Sequence, residues 1–465
     1  MNSRAWGVLL VLSGAIFLEG IDVAMFNVAL PAIRDDLGLS TGALSGVVSA
    51  YVLGYAGFML LGGRAGDLLG HRRVFLIWLT VFLLFSGLGG FSSEAWQLLA
   101  ARFVTGVAAA FMAPAGLALV ISTFPAGPPR NRALGIYAGT AAGGFSLGLV
   151  AGGLLAPAGW RWVFFAPVIL SALILAAAIP LLRSVTAPRT PAGPRERGFD
   201  LTGALAVTAA MLLLAYSVVR LEHGFDAITA ITVLAALVAL AAFVRVERRA
   251  ASPLVRLGIF RTPNLLRVNA GAFLFMGAFA GFQFLVTLYL QELRGWTPLQ
   301  TGLAMLIVAI DTILSPTVTP RLVNRFGTMK VILCGLLCAT VGYALFLPVA
   351  ADWTYSVMLP TMLLLGLAFS LAYGPLTTAA VAGVAEREHG LAGGLLYTSF
   401  QFGTAMGISA VSAVSTQLTL DSIRAGLVVP TAAVLLAVLI VASGPQNHRP
   451  TIQAGSRGEE MATRE

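Results

Sequence analysis

Charge is what this sequence has least of: Asp, Glu, Lys and Arg together make up 11% of its 465 residues, against roughly 25% in an ordinary soluble domain. So little charge cannot cover a water-facing surface, and lipid is the expected solvent. Cysteine and histidine are nearly absent. The two cysteines, Cys334 and Cys338, stand four apart in one apolar run, a spacing that puts them on one helix face as small buried hydrophobes rather than at a metal site. The four histidines, His71, His223, His389 and His448, fall in links or in the tail. No metal pair or nucleophile–base cluster is therefore expected inside the apolar runs, which counts against a membrane-embedded enzyme. There is no Gly-x-x-x-x-Gly-Lys-Ser/Thr loop, so nucleotide hydrolysis is not the expected energy source. A small-residue cleavage site after the first apolar run is also missing, and that run is read as a span rather than a signal peptide.

Apolar residues are abundant, at 58% with a mean hydropathy of +0.89. A spanning helix needs roughly 20 apolar residues, because the hydrocarbon core is about 30 Å thick. Runs broken by charged or Gly/Pro links predict fourteen such helices, near 5–30, 43–63, 74–92, 96–120, 133–156, 162–182, 201–220, 226–245, 264–290, 299–319, 330–350, 355–378, 391–416 and 425–443. Arg102 and Pro114 make the fourth the least typical. An even number of spans returns both termini to one side. Arg34, Arg161, Arg220, Arg294 and Arg424 fall on the opposite side, Arg102 lies within a span, and the remaining basic residues fall on the terminal side. The positive-inside rule then predicts a multi-pass protein of the cytoplasmic membrane with both termini cytoplasmic. This scatter also argues against nucleic acid as the partner of the net charge of +9.

The segment Gly63-Arg64-Ala65-Gly66-Asp67-Leu68-Leu69-Gly70 is echoed by Pro320-Arg321-Leu322-Val323-Asn324-Arg325-Phe326-Gly327. A fainter echo pairs Arg102, Gly106 and Pro114 with Met362, Gly366 and Pro375. Duplication of this kind predicts two six-helix bundles, 1–183 and 263–444, with linkers and two inserted spans over 184–262 and a tail over 445–465. It is a signature of carriers that expose one central site alternately to each side.

Three features carry candidate chemistry. Glu19 and Asp22 lie three apart on one face near the middle of the first apolar run. Carboxylates there must face the bundle interior, where they either exchange protons or lock helices by ion pairing. Arg102, always charged, is the expected partner, in a pair that is either mobile or fixed. Asp311 is a third membrane acid, able to read a cationic substrate or a second proton. Phe275, Phe279 and Phe282, with Met276 and Gln283 adjoining, form an aromatic stripe that suits either an adaptable pocket or packing. Glycines at 135, 139, 143, 144, 148, 152 and 153 predict a strip along the fifth span where backbones approach closely.

These residues resemble the major facilitator superfamily, and specifically its fourteen-span drug:proton antiporters. Ile21-Asp22-Val23-Ala24-Met25-Phe26-Asn27-Val28-Ala29-Leu30-Pro31 is similar to that family's first-span signature. Gly63 to Arg73 resembles the superfamily's cytoplasmic motif, Arg102 with Gly106 the fourth-span motif, and Gly159-Trp160-Arg161-Trp162-Val163-Phe164 the link before span six. The chain departs from the family pattern at Thr105, where glutamine is usual, and at Leu149, where proline is usual. The resemblance implies that Asp22 is the proton-linked acid, with Glu19 beside it and Arg102 its partner, and that Asp311 faces substrate. It also implies that Gly63, Asp67, Gly70, Arg72 and Arg73, with Gly148, Gly152 and Gly153, govern conformational gating. The expected function is proton-coupled export of hydrophobic drugs or natural products, cationic ones included, by a monomer that needs no cofactor beyond the proton gradient and no metal. Proton-coupled uptake of a nutrient or peptide is the alternative.

Overall fold

A computed structural model describes residues 3–125, 128–184, 201–220, 226–250, 258, 262–382, 384, 389–415, 417 and 419–444. The predicted tail over 445–465 lies outside them, as does most of the linker before the seventh span. Among the described residues there is no strand. The chain opens with α1 (Ser3–Leu37), α2 (Thr41–Leu69), α3 (His71–Gly90), α4 (Ala95–Thr123), α5 (Pro128–Leu155) and α6 (Trp162–Leu181). Next come α7 (Leu201–Arg220) and α8 (Ala227–Glu247). The rest is α9 (Pro263–Leu288), α10 (Pro298–Leu306), α11 (Asp311–Thr317), α12 (Thr319–Phe326), α13 (Thr328–Phe346), α14 (Tyr355–Val381), α15 (His389–Val414) and α16 (Leu420–Ala442). By length and composition, eleven helices among the described residues could cross a membrane, and shorter apolar helices cover Leu205–Leu214 and Pro298–Ile310. Large apolar side chains such as Leu84, Leu173, Leu234 and Leu439 are exposed on the outside, as lipid-facing surfaces require.

Several predicted spans change shape. α4 runs unbroken through Arg102 and Pro114, because neighbouring helices can satisfy the backbone groups a proline frees. The tenth run, read as one helix, is broken: a 3-10 turn over Ile307–Ile310 separates α10 from α11, and Val318 separates α11 from α12. Hydropathy does not sense such a break, whereas Pro320 in the first turn of α12 marks where a new helix can begin.

The internal echo has a structural counterpart. α2 continues through Gly63 and ends only at Gly70, and α3 starts at the next residue, so the expected loop is a one-residue corner. Gly70 takes φ +92° and Gly327, at the corner between α12 and α13, takes φ +88°, values that side chains with a Cβ strongly disfavour. Helix pairing repeats as well. α1 packs on α5 and α6 as α9 packs on α15 and α16, and α3 packs on α4 and α6 as α13 packs on α14 and α16. The two sets meet mainly where α2 lies against α15 and α5 against α10. α7 sits against α2 and α15, with the Thr208 hydroxyl donating to the Gly57 carbonyl at 3.1 Å.

Candidate functional site

Glycines bring α1 and α5 almost into backbone contact. A Cβ at Gly148 would lie 2.7 Å from that of Ala24, and one at Gly152 2.8 Å from Met25 Cα. The predicted glycine strip is not one surface, however. Gly153 faces α10, where a Cβ would lie 2.6 Å from Leu299 Cα, while Gly139 and Gly143 meet open space. This crossing presses one face of α1 inward and carries its acids with it.

Asp22 and Arg102, each with 2% of its side-chain surface exposed, form an ion pair of 2.7 Å from Nη1 to Oδ2. The guanidinium carbon also lies 4.3 Å from the ring centre of Phe26 and 4.4 Å from that of Tyr51. Two aromatic faces and one carboxylate thus replace water around the cation. Its Nε is buried with no hydrogen-bond partner, so the cation has donor capacity to spare.

Glu19, one turn before Asp22, is buried beside this pair and accepts a long hydrogen bond of 3.4 Å from the Tyr55 hydroxyl. Around it gather tyrosines that sequence reasoning missed: Tyr137 from α5, Tyr373 from α14 and Tyr397 from α15 all lie within electrostatic reach of its carboxylate. Tyr373 and Tyr397 lie within electrostatic reach of each other, and Tyr373 also feels Asp311. The ring of Tyr373 stacks between Phe369 and Phe400 at 5.0 and 4.8 Å. Phe369, Tyr373, Tyr397 and Asp311 remain half-buried, so part of each side chain is left uncovered by protein. Four aromatics spaced along α14 and α15, Phe369, Tyr373, Tyr397 and Phe400, were the available signal, but hydropathy treats them as ordinary span residues.

The predicted phenylalanine stripe mostly packs. Phe275 and Phe279 are buried against Phe369, and Phe282 turns away to Tyr343 and Phe346. Gln283 is buried, and its Nε2 has no hydrogen-bond partner. Cys334, expected to be buried, is exposed, and Cys338 is half-buried, because the outside of this protein is as apolar as its inside. The side chain of Asp67 lies outside the described residues, Arg72 is half-buried, and Arg73 is exposed. No group of three or more His, Cys, Asp or Glu among the described residues is placed to hold a metal ion.

At the end of the bundle where α1 finishes, the two helix sets are clasped. Arg34 Nη1 pairs with Glu292 Oε2 at 2.7 Å, and the Gln291 amide donates to the Val28 carbonyl at 2.9 Å. Gly302 of α10 lies tight against the Leu149 carbonyl of α5. Nearby, the Trp160 indole and Arg161 both donate to Asp36 at 2.9 Å, tying the end of α1 to the corner at Gly159, where φ is +121°.

The family model described as Major Facilitator Superfamily matches residues 12–408. The puromycin resistance protein pur8 of Streptomyces alboniger is 34% identical over 431 residues, covering 90% of this chain and 83% of its own length. The cephamycin export protein CmcT of Amycolatopsis lactamdurans is 34% identical over 425 residues, covering 89% and 86%. Among solved structures, an auto-inhibited POT family peptide transporter superposes with a TM-score of 0.72 at 14% identity, over 97% of this chain and 99% of that one. At that identity the likeness is one of fold.

Proposed function

The chain belongs to the Major Facilitator Superfamily, and from that premise we propose that it is a proton-coupled antiporter exporting hydrophobic drugs or natural products, cationic ones included, from the cytoplasm by alternating access. The observation that carries this reading is the buried Asp22–Arg102 pair with Glu19 one turn away. When Asp22 takes up a proton, Arg102 loses its counter-charge while still held between Phe26 and Tyr51, and its attraction turns toward Glu19. Helix movement and proton affinity are then coupled. Relatives whose names record puromycin resistance and cephamycin export support the direction of transport.

In this reading the spans number fourteen: the eleven long helices, α7, the broken α10–α12 and α15. Residues 1–183 and 263–444 form the two bundles around the inserted pair, in the cytoplasmic membrane with both termini inside, and a single chain suffices. The Arg34–Glu292 clasp then closes the outer side while the half-buried aromatic cluster at Tyr373 and Tyr397 is reached from the cytoplasm. Asp311 and the Gln283 amide supply polar contacts in an otherwise aromatic lining. Gly70 sets the corner that Arg72 and Arg73 latch. Each entering proton supplies about 2.3 kcal/mol per 100 mV, and about 1.4 kcal/mol sustains a tenfold gradient, so one proton supports useful export.

Inside-out vesicles with an acid interior test the coupling. Substrate, with puromycin included in the panel, is expected to accumulate and to discharge the proton gradient. Accumulation that survives collapse of the gradient rejects the coupling. Substrate and protons moving in the same direction would instead establish uptake.

A further inference from the structure

The geometry of α8 points to a binding site for an anionic phospholipid, with the phosphodiester held by Arg245, Arg248 and Arg249 and an acyl chain laid along Leu237, Leu240 and Val244. α8 packs chiefly on α7, so its outer face has little protein cover. A shallow groove of about 700 Å³ runs along that face, lined by these six residues and Ala241. Positions 237, 241, 244 and 248 recur at helical spacing and form one stripe. At a rise of about 1.5 Å per residue, the stripe from Leu237 to Val244 extends roughly 10 Å before the arginines begin. That order, apolar track and then cations at the helix end, matches a lipid tail and headgroup in depth.

The charge pattern argues for a ligand. Like charges three and four residues apart on a helix repel each other, and 245, 248 and 249 stand at that spacing. Among the described residues no side-chain ion pair or hydrogen bond of these three arginines is seen. The acid on the same turn, Glu247, is buried and has an interaction of its own. A phosphodiester placed among the three guanidiniums relieves the repulsion through charge-assisted bonds. The positive-inside rule accounts for arginines at this end of the helix, but not for their convergence on an apolar groove. A zwitterionic lipid brings a second cation into the cluster, and free phosphate leaves the track empty, so an anionic phospholipid is the occupant that satisfies both parts.

The full-length protein, purified in detergent and delipidated, is titrated with phosphatidylglycerol, cardiolipin, phosphatidylcholine or inorganic phosphate, and bound lipid is read by native mass spectrometry. The anionic lipids are expected to bind preferentially and to weaken as salt rises. With about 1 kcal/mol for each basic residue near the headgroups, Arg245→Gln/Arg248→Gln/Arg249→Gln is expected to weaken binding on the order of 100-fold. Arg321→Gln/Arg325→Gln/Lys330→Gln removes the same charge elsewhere and is expected to leave binding within about twofold. Ala241→Trp keeps the arginines, fills the track and is expected to weaken phospholipid binding. Arg248→Gln alone tests the site should the triple variant fail to insert. Equal binding of phosphatidylcholine, unchanged binding in the triple variant or in Arg248→Gln, or displacement by millimolar phosphate would overturn the site; unchanged binding in Ala241→Trp would overturn the acyl track.

Discussion

Asp22 and Arg102 are each 2% exposed, and breaking such a pair leaves one charge buried and uncompensated. Asp22→Asn is therefore expected to lower stability by about 3–5 kcal/mol, read as a fall in the unfolding midpoint in detergent. Asp22→Asn/Arg102→Gln removes both charges and is expected to regain most of that stability without regaining gradient-driven transport. Transport by the double variant would reduce the pair to a helix lock. Glu19 behaves differently, because the hydrogen bond it accepts from Tyr55 is 3.4 Å long. Glu19→Gln is expected to change stability by no more than about 1 kcal/mol while impairing gradient-driven export several-fold in the vesicle assay. Wild-type export by Glu19→Gln would remove this carboxyl from the mechanism. Both acids were legible in the sequence, since a carboxyl group inside an apolar run must face the interior. Their tyrosine neighbours were not: Tyr373 and Tyr397 arrive from distant helices, and nothing in their local sequence distinguishes them from packing aromatics.

Among the elements, the inserted pair carries the clearest acid sensitivity. Asp226 caps α8, its carboxylate accepting from the Thr229 hydroxyl and amide and from Arg220. Those bonds hold the carboxyl well below its usual value, at about 2. A depressed folded-state value stabilises the cap above the ordinary carboxylate value of about 3.9, and the contribution is lost as pH falls through about 2. Hydrogen exchange, corrected for its intrinsic pH dependence, is expected to show steady protection of the first turn of α8 from pH 7 to about pH 4 and loss toward pH 2. Asp226→Ala is expected to lose that protection throughout; retained protection at neutral pH would show that the cap is dispensable. The break between α10 and α11 belongs to this scale too. It starts α11 at Asp311, and it was invisible to a hydropathy reading because a 3-10 turn keeps every apolar residue in place.

At the scale of the whole molecule, the Arg34–Glu292 pair joins helices that are far apart in sequence but meet at the clasped end. With side chains 23% and 18% exposed, the pair is worth up to about 1 kcal/mol, enough to shift a two-state balance roughly fivefold. Glu292→Gln is expected to lengthen the distance between spin labels on the far ends of α1 and α9 in a larger share of molecules. Arg34→Glu/Glu292→Arg is expected to restore the wild-type distribution. Unchanged distances in Glu292→Gln would show that close packing of α5 on α10, rather than this ion pair, holds that end shut.

The sequence by itself determined the solvent, the helical class, the repeat and the buried acids, because the exclusion of charge from lipid acts on every residue locally and leaves its pattern in composition. Tertiary structure alone decided that Arg34 meets Glu292, that the phenylalanine stripe packs while Tyr373 and Tyr397 stay half-buried, and which end is clasped. Those outcomes depend on how closely helices approach, as at Gly148 and Gly302, and on contacts between segments hundreds of residues apart. In a chain whose lipid face and core are equally apolar, hydropathy cannot tell the two surfaces apart.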